Sequence, residues 1–244
     1  MRVLVTRPEP DATATSRKLA EAGHEAVCSP LMNISFEPVE DLGQGLVQAI
    51  IVTSRNAVRA LAKSPVLPQL LELPVFAVGP GTTHDAGELG FHGVMKGTGT
   101  AAGLVDVIAA HADPAGGRLI HFAGYKLAFD LESALREKGF TVDTIRCYSA
   151  QRAEQLAEGA REALRKGHVD AVLLMSPEAS KTYTKLVKQA GLEAAAKSVA
   201  CVCISKATAE ALEEFGPELV RVADQPNSEE VLALVNRMAE QSRP

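Results

Sequence analysis

Hydroxyl side chains end two β-branched, apolar runs of this sequence and stand directly before helix-like segments. In residues 49–61, AIIVTSRNAVRAL, the run ends at Thr53-Ser54, and in residues 171–186, AVLLMSPEASKTYTKL, an equivalent run ends at Ser176. At the carboxyl end of a parallel strand, hydroxyls and the N–H groups of the following helix can bind an anion without any cation. The pair therefore predicts two anion-binding turns, one in each of two lobes, with the chemistry between them.

Other polar residues extend this pattern to further strand-to-helix turns. Helix N-capping is the better explanation for each hydroxyl alone, but for the set at matching positions anion binding is the better explanation, and one hydroxyl can serve both roles. The five hydroxyl residues are Thr53, Ser54, Thr82, Ser176 and Thr208. Basic residues beside the same turns could pair with carboxylates, with ordinary surface charge as the alternative; they are Arg7, Arg55, Lys126, Lys181 and Lys206.

An internal repeat indicates how these turns are held. Residues 3–27 resemble residues 119–143, and residues 76–91 match residues 202–217, so two kinds of βα unit occur in the order A, B, A, B. The alternation of strands and helices predicts an α/β fold with parallel sheets. Because each unit is too small for a full sheet, four units must assemble into two lobes.

The repeat also predicts the domain boundaries. The inner B and A units form one domain, and the terminal A and B units form a discontinuous one. The predicted ranges are 1–34 plus 151–244 for domain 1, 40–144 for domain 2, and 31–38 and 145–150 for two interdomain linker strands.

Two local expectations concern helix starts. Residues 151–166 have a helical pattern directly after the second linker. Residues 79–83, GPGTT, are predicted as a turn before a helix that reaches Gly90.

Composition excludes several functional classes. The net charge of −5 gives no global basic field for nucleic acid, and 4% aromatic residues without tryptophan argue against a base-stacking surface. No signal peptide and no apolar run of membrane-spanning length occur. Four cysteines without a CxxC pair predict buried free thiols and a cytoplasmic location, and six scattered histidines predict no metal site.

Several motifs occur together in order over nearly the whole chain: VTRPEP, IIVTSRNAVRAL, FAVGPGTT, a run ending at Tyr148, LLMSPEAS and ISKATAEAL. This ordered set resembles the uroporphyrinogen-III synthase family. The resemblance implies two flavodoxin-like lobes joined by a two-stranded linker, in a monomeric lyase without metal or organic cofactor. It implies cyclisation of hydroxymethylbilane to uroporphyrinogen III, with loss of water and inversion of ring D, and leaves room for transient contact with the preceding pathway enzyme.

The same resemblance suggests roles for individual residues. Tyr148 would be the general acid, since a phenol is a neutral donor at pH 7, with ring packing as its alternative role. The substrate is a flexible octacarboxylate, for which the expected binding residues are Arg7, Thr53, Ser54, Arg55, Thr82, Gly124, Lys126, Ser176, Lys206 and Thr208. The GYKLAFD turn and Ser205-Lys206 depart from the family pattern.

Two other functions remain open at this point. A two-lobed protein that binds a small anion without chemistry would need the same turns but not Tyr148. A flavodoxin-like nucleotide-binding protein would need a glycine-rich phosphate loop, and the spacing of Gly97, Gly99 and Gly103 is not that fingerprint.

Overall fold

The structure is a computed structural model that describes residues 1–241. Its strands are short and mostly apolar. In chain order they are β1 (Arg2–Val5), β2 (Glu25–Cys28), β3 (Met32–Phe36), β4 (Val47–Val52), β5 (Val75–Ala77), β6 (Val94–Lys96), β7 (Arg118–Gly124), β8 (Val142–Arg152), β9 (Ala171–Leu174), β10 (Ala200–Cys203) and β11 (Val220–Val222).

Helices follow most of these strands, as the βα alternation predicts. In chain order they are α1 (Asp11–Glu21), α2 (Arg55–Leu61), α3 (Leu67–Leu70), α4 (Pro80–Glu88), α5 (Ala101–His111), α6 (Leu131–Glu137), α7 (Glu158–Arg165), α8 (Pro177–Gln189), α9 (Glu193–Lys197), α10 (Lys206–Glu210) and α11 (Ser228–Gln241). None of these helices has the length and apolar character needed to cross a lipid bilayer.

The chain divides into two compact units, each with its own parallel sheet. Unit 1 comprises Met1–Asn33 and the described part of Gln151–Pro244, and unit 2 comprises Ile34–Ala150. The sheet of unit 1 has the order β11-β10-β9-β1-β2, with parallel pairing throughout. Counted from β1, this is the flavodoxin-like order 2-1-3-4-5.

The sheet of unit 2 repeats that order in a permuted form. Its strand order is β3-β8-β7-β4-β5-β6, and the pairs from β8 to β6 are parallel. If β7 is counted first and β8 second, β4, β5 and β6 become the third, fourth and fifth strands, again giving 2-1-3-4-5. This confirms the expected two-lobed α/β fold, in which β4 and β9, the strands of the two hydroxyl turns, are equivalent.

Each sheet is covered by apolar side chains on both faces. In β4, Ile50 and Val52 belong to one buried cluster, whereas Ala49 and Ile51 belong to another. In unit 1, Leu4 of β1 faces one cluster, and its neighbours face the opposite one. Burial on both faces explains why the strands read as continuous apolar runs, and it leaves polar residues to collect where the strands end.

Two local expectations are corrected by the structure. β8 continues from Val142 to Arg152, so Gln151 and Arg152 are strand rather than helix. The helix predicted from residue 151 begins only at Glu158. Residues 79–83 are not all turn, because α4 begins at Pro80, with Gly79 as its N-cap. Proline suits a first helical position, since its missing N–H would have no partner there.

Candidate active site

The centre of the unit 2 sheet is the point where the strand order reverses. There β7 and β4 pair in parallel, with β8 next to β7 and β5 next to β4. Ligands of open α/β sheets bind outside the carboxyl ends of the strands at such a reversal. A cavity of about 560 Å³ lies at this edge. Four residues predicted from the sequence line it, namely Thr53, Gly124, Lys126 and Tyr148.

Tyr148 is held against the end of β7. A Cβ atom built on Gly124 would lie 2.7 Å from two ring carbons of Tyr148 and 3.0 Å from its phenol oxygen, so only glycine leaves room for the ring. The register between β7 and β8 shifts at this point, and the Tyr125 N–H donates to the Tyr148 carbonyl over 3.1 Å. The backbone therefore fixes the half-buried phenol at the cavity, where it can donate to a bound group.

His121 also lines this cavity and was not among the predicted site residues. Its side chain is 1% exposed, and its Nε2 lies 3.1 Å from the Thr53 hydroxyl oxygen. Burial, and to a lesser extent the nearby Arg146, lower the pKa of His121 to about 4, so the imidazole is neutral at pH 7. In the sequence, His121 is a single polar residue inside the apolar run RLIHFAG. Neither the composition nor the spacing of possible metal ligands marked it as a site residue.

The two repeat-related serines occupy equivalent helix starts. The Ser54 hydroxyl accepts the Asn56 N–H at the start of α2, and the Ser176 hydroxyl accepts the Ala179 N–H at the start of α8, each over 3.1 Å. Both serines are therefore N-caps. An N-capping hydroxyl accepts a hydrogen bond and retains its own proton, so it can still donate to an anion.

Thr82 and Thr208 are placed differently from the expectation. Both lie inside the first turns of α4 and α10 rather than in the preceding turns, and their side chains are 5% and 0% exposed. The caps of these helices are Gly79 and Ser205, and the Ser205 and Thr208 hydroxyls lie 2.9 Å apart. Thr208 thus holds the capping serine in place, and its own hydroxyl faces the interior.

The two arginines predicted to pair with substrate carboxylates have carboxylate partners in the chain. Arg7 pairs with Asp11 over 2.9 Å and also donates to the Ser228 hydroxyl over 2.9 Å. Arg55 makes a bidentate pair with Asp85, at 2.6 and 2.9 Å. Each guanidinium is oriented by these contacts, and a substrate carboxylate would have to share it.

The three predicted lysines are separated in the fold. Lys126 is exposed and lines the unit 2 cavity beside Leu127 and Phe129. Lys181 is exposed on α8, and Lys206 lines a different cavity, in unit 1, together with Glu210 and Glu213. Of the three, Lys126 is the cation that the structure brings together with Thr53 and Tyr148.

The four cysteines are all free thiols, and they are buried except for Cys28, which is exposed contrary to expectation. Cys201 and Cys203 share one face of β10, as their spacing predicts. Burial raises the pKa of the Cys147, Cys201 and Cys203 thiols to about 12, so all three are protonated at pH 7. Within residues 1–241, no cluster of three or more His, Cys, Asp or Glu side chains could hold a metal ion.

Solved structures with a fold similar to that of this chain are known. A solved uroporphyrinogen-III synthetase from Helicobacter pylori is 19% identical, with a TM-score of 0.63 over 98% of this chain and 100% of its own. A mutant uroporphyrinogen III synthase from Thermus thermophilus is 20% identical, with a TM-score of 0.58 over 99% of this chain and 100% of its own. At such identities the likeness concerns the fold.

A search of curated proteins found no significant match. The family model of uroporphyrinogen-III synthase HemD, in contrast, matches residues 13–233. That match spans most of the sequence and includes both hydroxyl turns, the reversal point of the unit 2 sheet and Tyr148. The chain therefore belongs to the uroporphyrinogen-III synthase family, whose enzymes cyclise hydroxymethylbilane in porphyrin and heme biosynthesis.

Proposed function

We propose that this protein closes hydroxymethylbilane to uroporphyrinogen III with loss of water and inversion of ring D. The family match over residues 13–233 carries this conclusion. The unit 2 cavity supports it, because it combines a phenol, a hydroxyl and a cation at the carboxyl edge of a parallel sheet. These groups suit a substrate that carries both a leaving hydroxyl and many carboxylates.

The substrate supplies its own electrophile. When its hydroxyl leaves as water, the carbon left behind is a cation that the adjacent pyrrole stabilises. Tyr148 donates the proton that turns the leaving hydroxyl into water, acting as general acid. The backbone fixes Tyr148 beside Gly124, so the phenol keeps one position while the flexible substrate changes conformation.

The remaining contribution of the protein is positional. Thr53, Ser54 and Lys126 bind carboxylates at the edge of unit 2, and Ser176 offers the equivalent capping hydroxyl in unit 1. Holding the linear substrate in one reactive conformation brings the atoms that must bond close together before the reaction. In well-oriented systems such positioning can lower the barrier by about 7–11 kcal/mol. Arg7 and Arg55 contribute to binding as guanidinium groups shared with Asp11 and Asp85.

A product assay tests this function directly. Freshly made hydroxymethylbilane is supplied to the protein, the products are oxidised, and the isomers are separated by chromatography. We expect enrichment of the type III isomer over the type I isomer that forms spontaneously. Formation of the type I isomer alone, at the rate without protein, would contradict the proposal.

Tyr148→Phe tests the acid within the same assay. The variant keeps the ring that packs on Gly124 but lacks the donor. We expect kcat to fall by about 10²-fold or more, as is typical when a general acid is lost, with thermal stability close to that of the unmodified protein. An unchanged kcat would remove Tyr148 from the chemistry and leave it a packing role.

We further propose a domain organisation of 1–34 plus 151–244 and 40–144, with 31–38 and 145–150 as linkers. The compact units Met1–Asn33 with Gln151–Pro244 and Ile34–Ala150 support these boundaries.

We also propose that the protein is a cytoplasmic monomer. Because its substrate closes spontaneously to the wrong isomer, transient contact with the enzyme that makes this substrate would limit the loss.

A further inference from the structure

The buried His121 and the partly buried Thr53 form a polar pair at the end of an otherwise apolar layer. His121 lies in the middle of β7, where it is opposite Ile51 of β4 and Thr144 of β8. Its sequence neighbour two residues away, Leu119, belongs to the apolar cluster that includes residues of α5 and α6, so His121 projects toward the same side. The imidazole thus extends the core up to the cavity, which is lined by both His121 and Thr53.

The two ring nitrogens of His121 differ in their surroundings. Nε2 lies 3.1 Å from the Thr53 oxygen, whereas Nδ1 is buried and has no hydrogen-bond partner among the described residues. A neutral imidazole carries one proton, on one nitrogen or on the other. A proton on Nδ1 would bury an unpaired N–H donor, which is rarer in folded proteins than an unpaired acceptor. The environment therefore favours the tautomer protonated at Nε2.

That tautomer decides what the Thr53 hydroxyl can do. If Nε2 donates to Thr53, the threonine oxygen is used as an acceptor, and its own proton is free to point toward the cavity that Thr53 lines. If Nε2 were instead the acceptor, the Thr53 proton would be directed at the ring. Only lone pairs would then face the cavity, and they would repel a carboxylate.

We propose that His121 is a positioning residue that holds the Thr53 hydroxyl as a hydrogen-bond donor to a substrate carboxylate. This inference rests on the proposed function, because it identifies the substrate group, a carboxylate, to which the Thr53 hydroxyl donates. It adds to the site a residue that touches no substrate atom and acts through its neighbour.

The first test measures the tautomer in the unmodified protein and does not depend on activity. Labelling histidine with ¹⁵N and recording long-range ¹H–¹⁵N correlations at pH 7 distinguishes a protonated ring nitrogen from a bare one. We expect the His121 spin system to show Nε2 protonated and Nδ1 bare. The opposite tautomer, or a cationic ring, would overturn the proposal even if the enzyme forms the type III isomer.

The second test compares variants in the cyclisation assay. His121→Phe fills a similar volume without a donor, and His121→Gln places an amide nitrogen near the position of Nε2. We expect His121→Phe to raise KM about tenfold with kcat within about twofold, and His121→Gln to recover most of the loss, since a hydrogen bond to a charged acceptor is at stake.

A double variant separates positioning from packing. In a Thr53→Val background the hydroxyl is absent, so adding His121→Phe should change KM by less than about twofold. A purely structural histidine would show the same effect in both backgrounds and no rescue by glutamine, which would overturn the proposal. If the unmodified protein forms only the type I isomer, the proposed function fails, while the NMR measurement still decides the His121–Thr53 arrangement.

Discussion

The stability of the protein should depend on pH through His121. The imidazole has an ordinary pKa of 6.5, which burial lowers to about 4 in the folded protein. Between pH 6.5 and about 4 the imidazole is protonated in the unfolded chain but neutral in the folded protein. Because the unfolded state then binds more protons, lowering the pH favours unfolding. This contribution to stability is fully present above pH 6.5 and is lost as the pH falls toward 4.

The size of the effect follows from these two pKa values. At about 1.4 kcal/mol per pH unit, the window between 6.5 and about 4 corresponds to about 3 kcal/mol in the free energy of unfolding. About 2 kcal/mol of this should already be lost at pH 5. A difference of this size is a large part of the net stability of a typical domain.

Urea unfolding followed by far-ultraviolet circular dichroism measures it, at several pH values between 7 and 4.5. The control is His121→Phe, which cannot titrate at this position but keeps every other ionisable group. We expect the free energy of unfolding to fall more steeply with acid in the unmodified protein, so that its value relative to that of His121→Phe decreases by about 2 kcal/mol from pH 7 to pH 5. Parallel curves would refute the assignment of a depressed pKa to a buried neutral imidazole.

Two further substitutions test the geometry of the site. Gly124→Ala should displace the Tyr148 ring, because the added Cβ would lie 2.7 Å from two ring carbons. We therefore expect kcat in the isomer assay to fall about tenfold or more. The matched control is Gly159→Ala, where a Cβ meets nothing within 4 Å, and this variant should keep full activity. Ser54→Asp should retain the helix cap and thermal stability but raise KM by repelling a carboxylate, whereas Ser54→Ala should cost about 1 kcal/mol of stability. An aspartate variant with unchanged KM would show that Ser54 is a cap and nothing more.

Much of the architecture could be predicted from local patterns. The equivalence of Ser54 and Ser176 was visible because both follow fully buried strands, whose apolar runs stop abruptly at the edge of a sheet. Thr100 stands directly before the apolar helix α5, where a threonine is a common N-cap, and its hydroxyl accepts the Gly103 N–H. These features depend on residues that lie within a few positions of one another.

What could not be predicted depends on contacts across the sheet. The pairing of Arg55 with Asp85 joins α2 to α4, and no sequence pattern reveals that these helices bring the two side chains together. His121 appears in the sequence as one polar residue in a strand, and its importance emerges only when β7 is placed beside β4 and Thr53, the residue that follows β4. Gln151 and Arg152 are polar and lead directly into a helix-like pattern, so the sequence does not reveal that β8 continues through them.

The permuted order of the second sheet has a consequence for how the chain folds as it is made. All strands of unit 2 that form its flavodoxin-like order lie between residues 47 and 152, so this sheet can close soon after residue 152 leaves the ribosome. β1 of unit 1, by contrast, pairs with β9, and Val3 is the register partner of Ala171. The first βα unit to be synthesised must therefore wait, with one edge of β1 unpaired, until most of the protein has emerged, and during that interval this edge is open to pairing with a wrong strand.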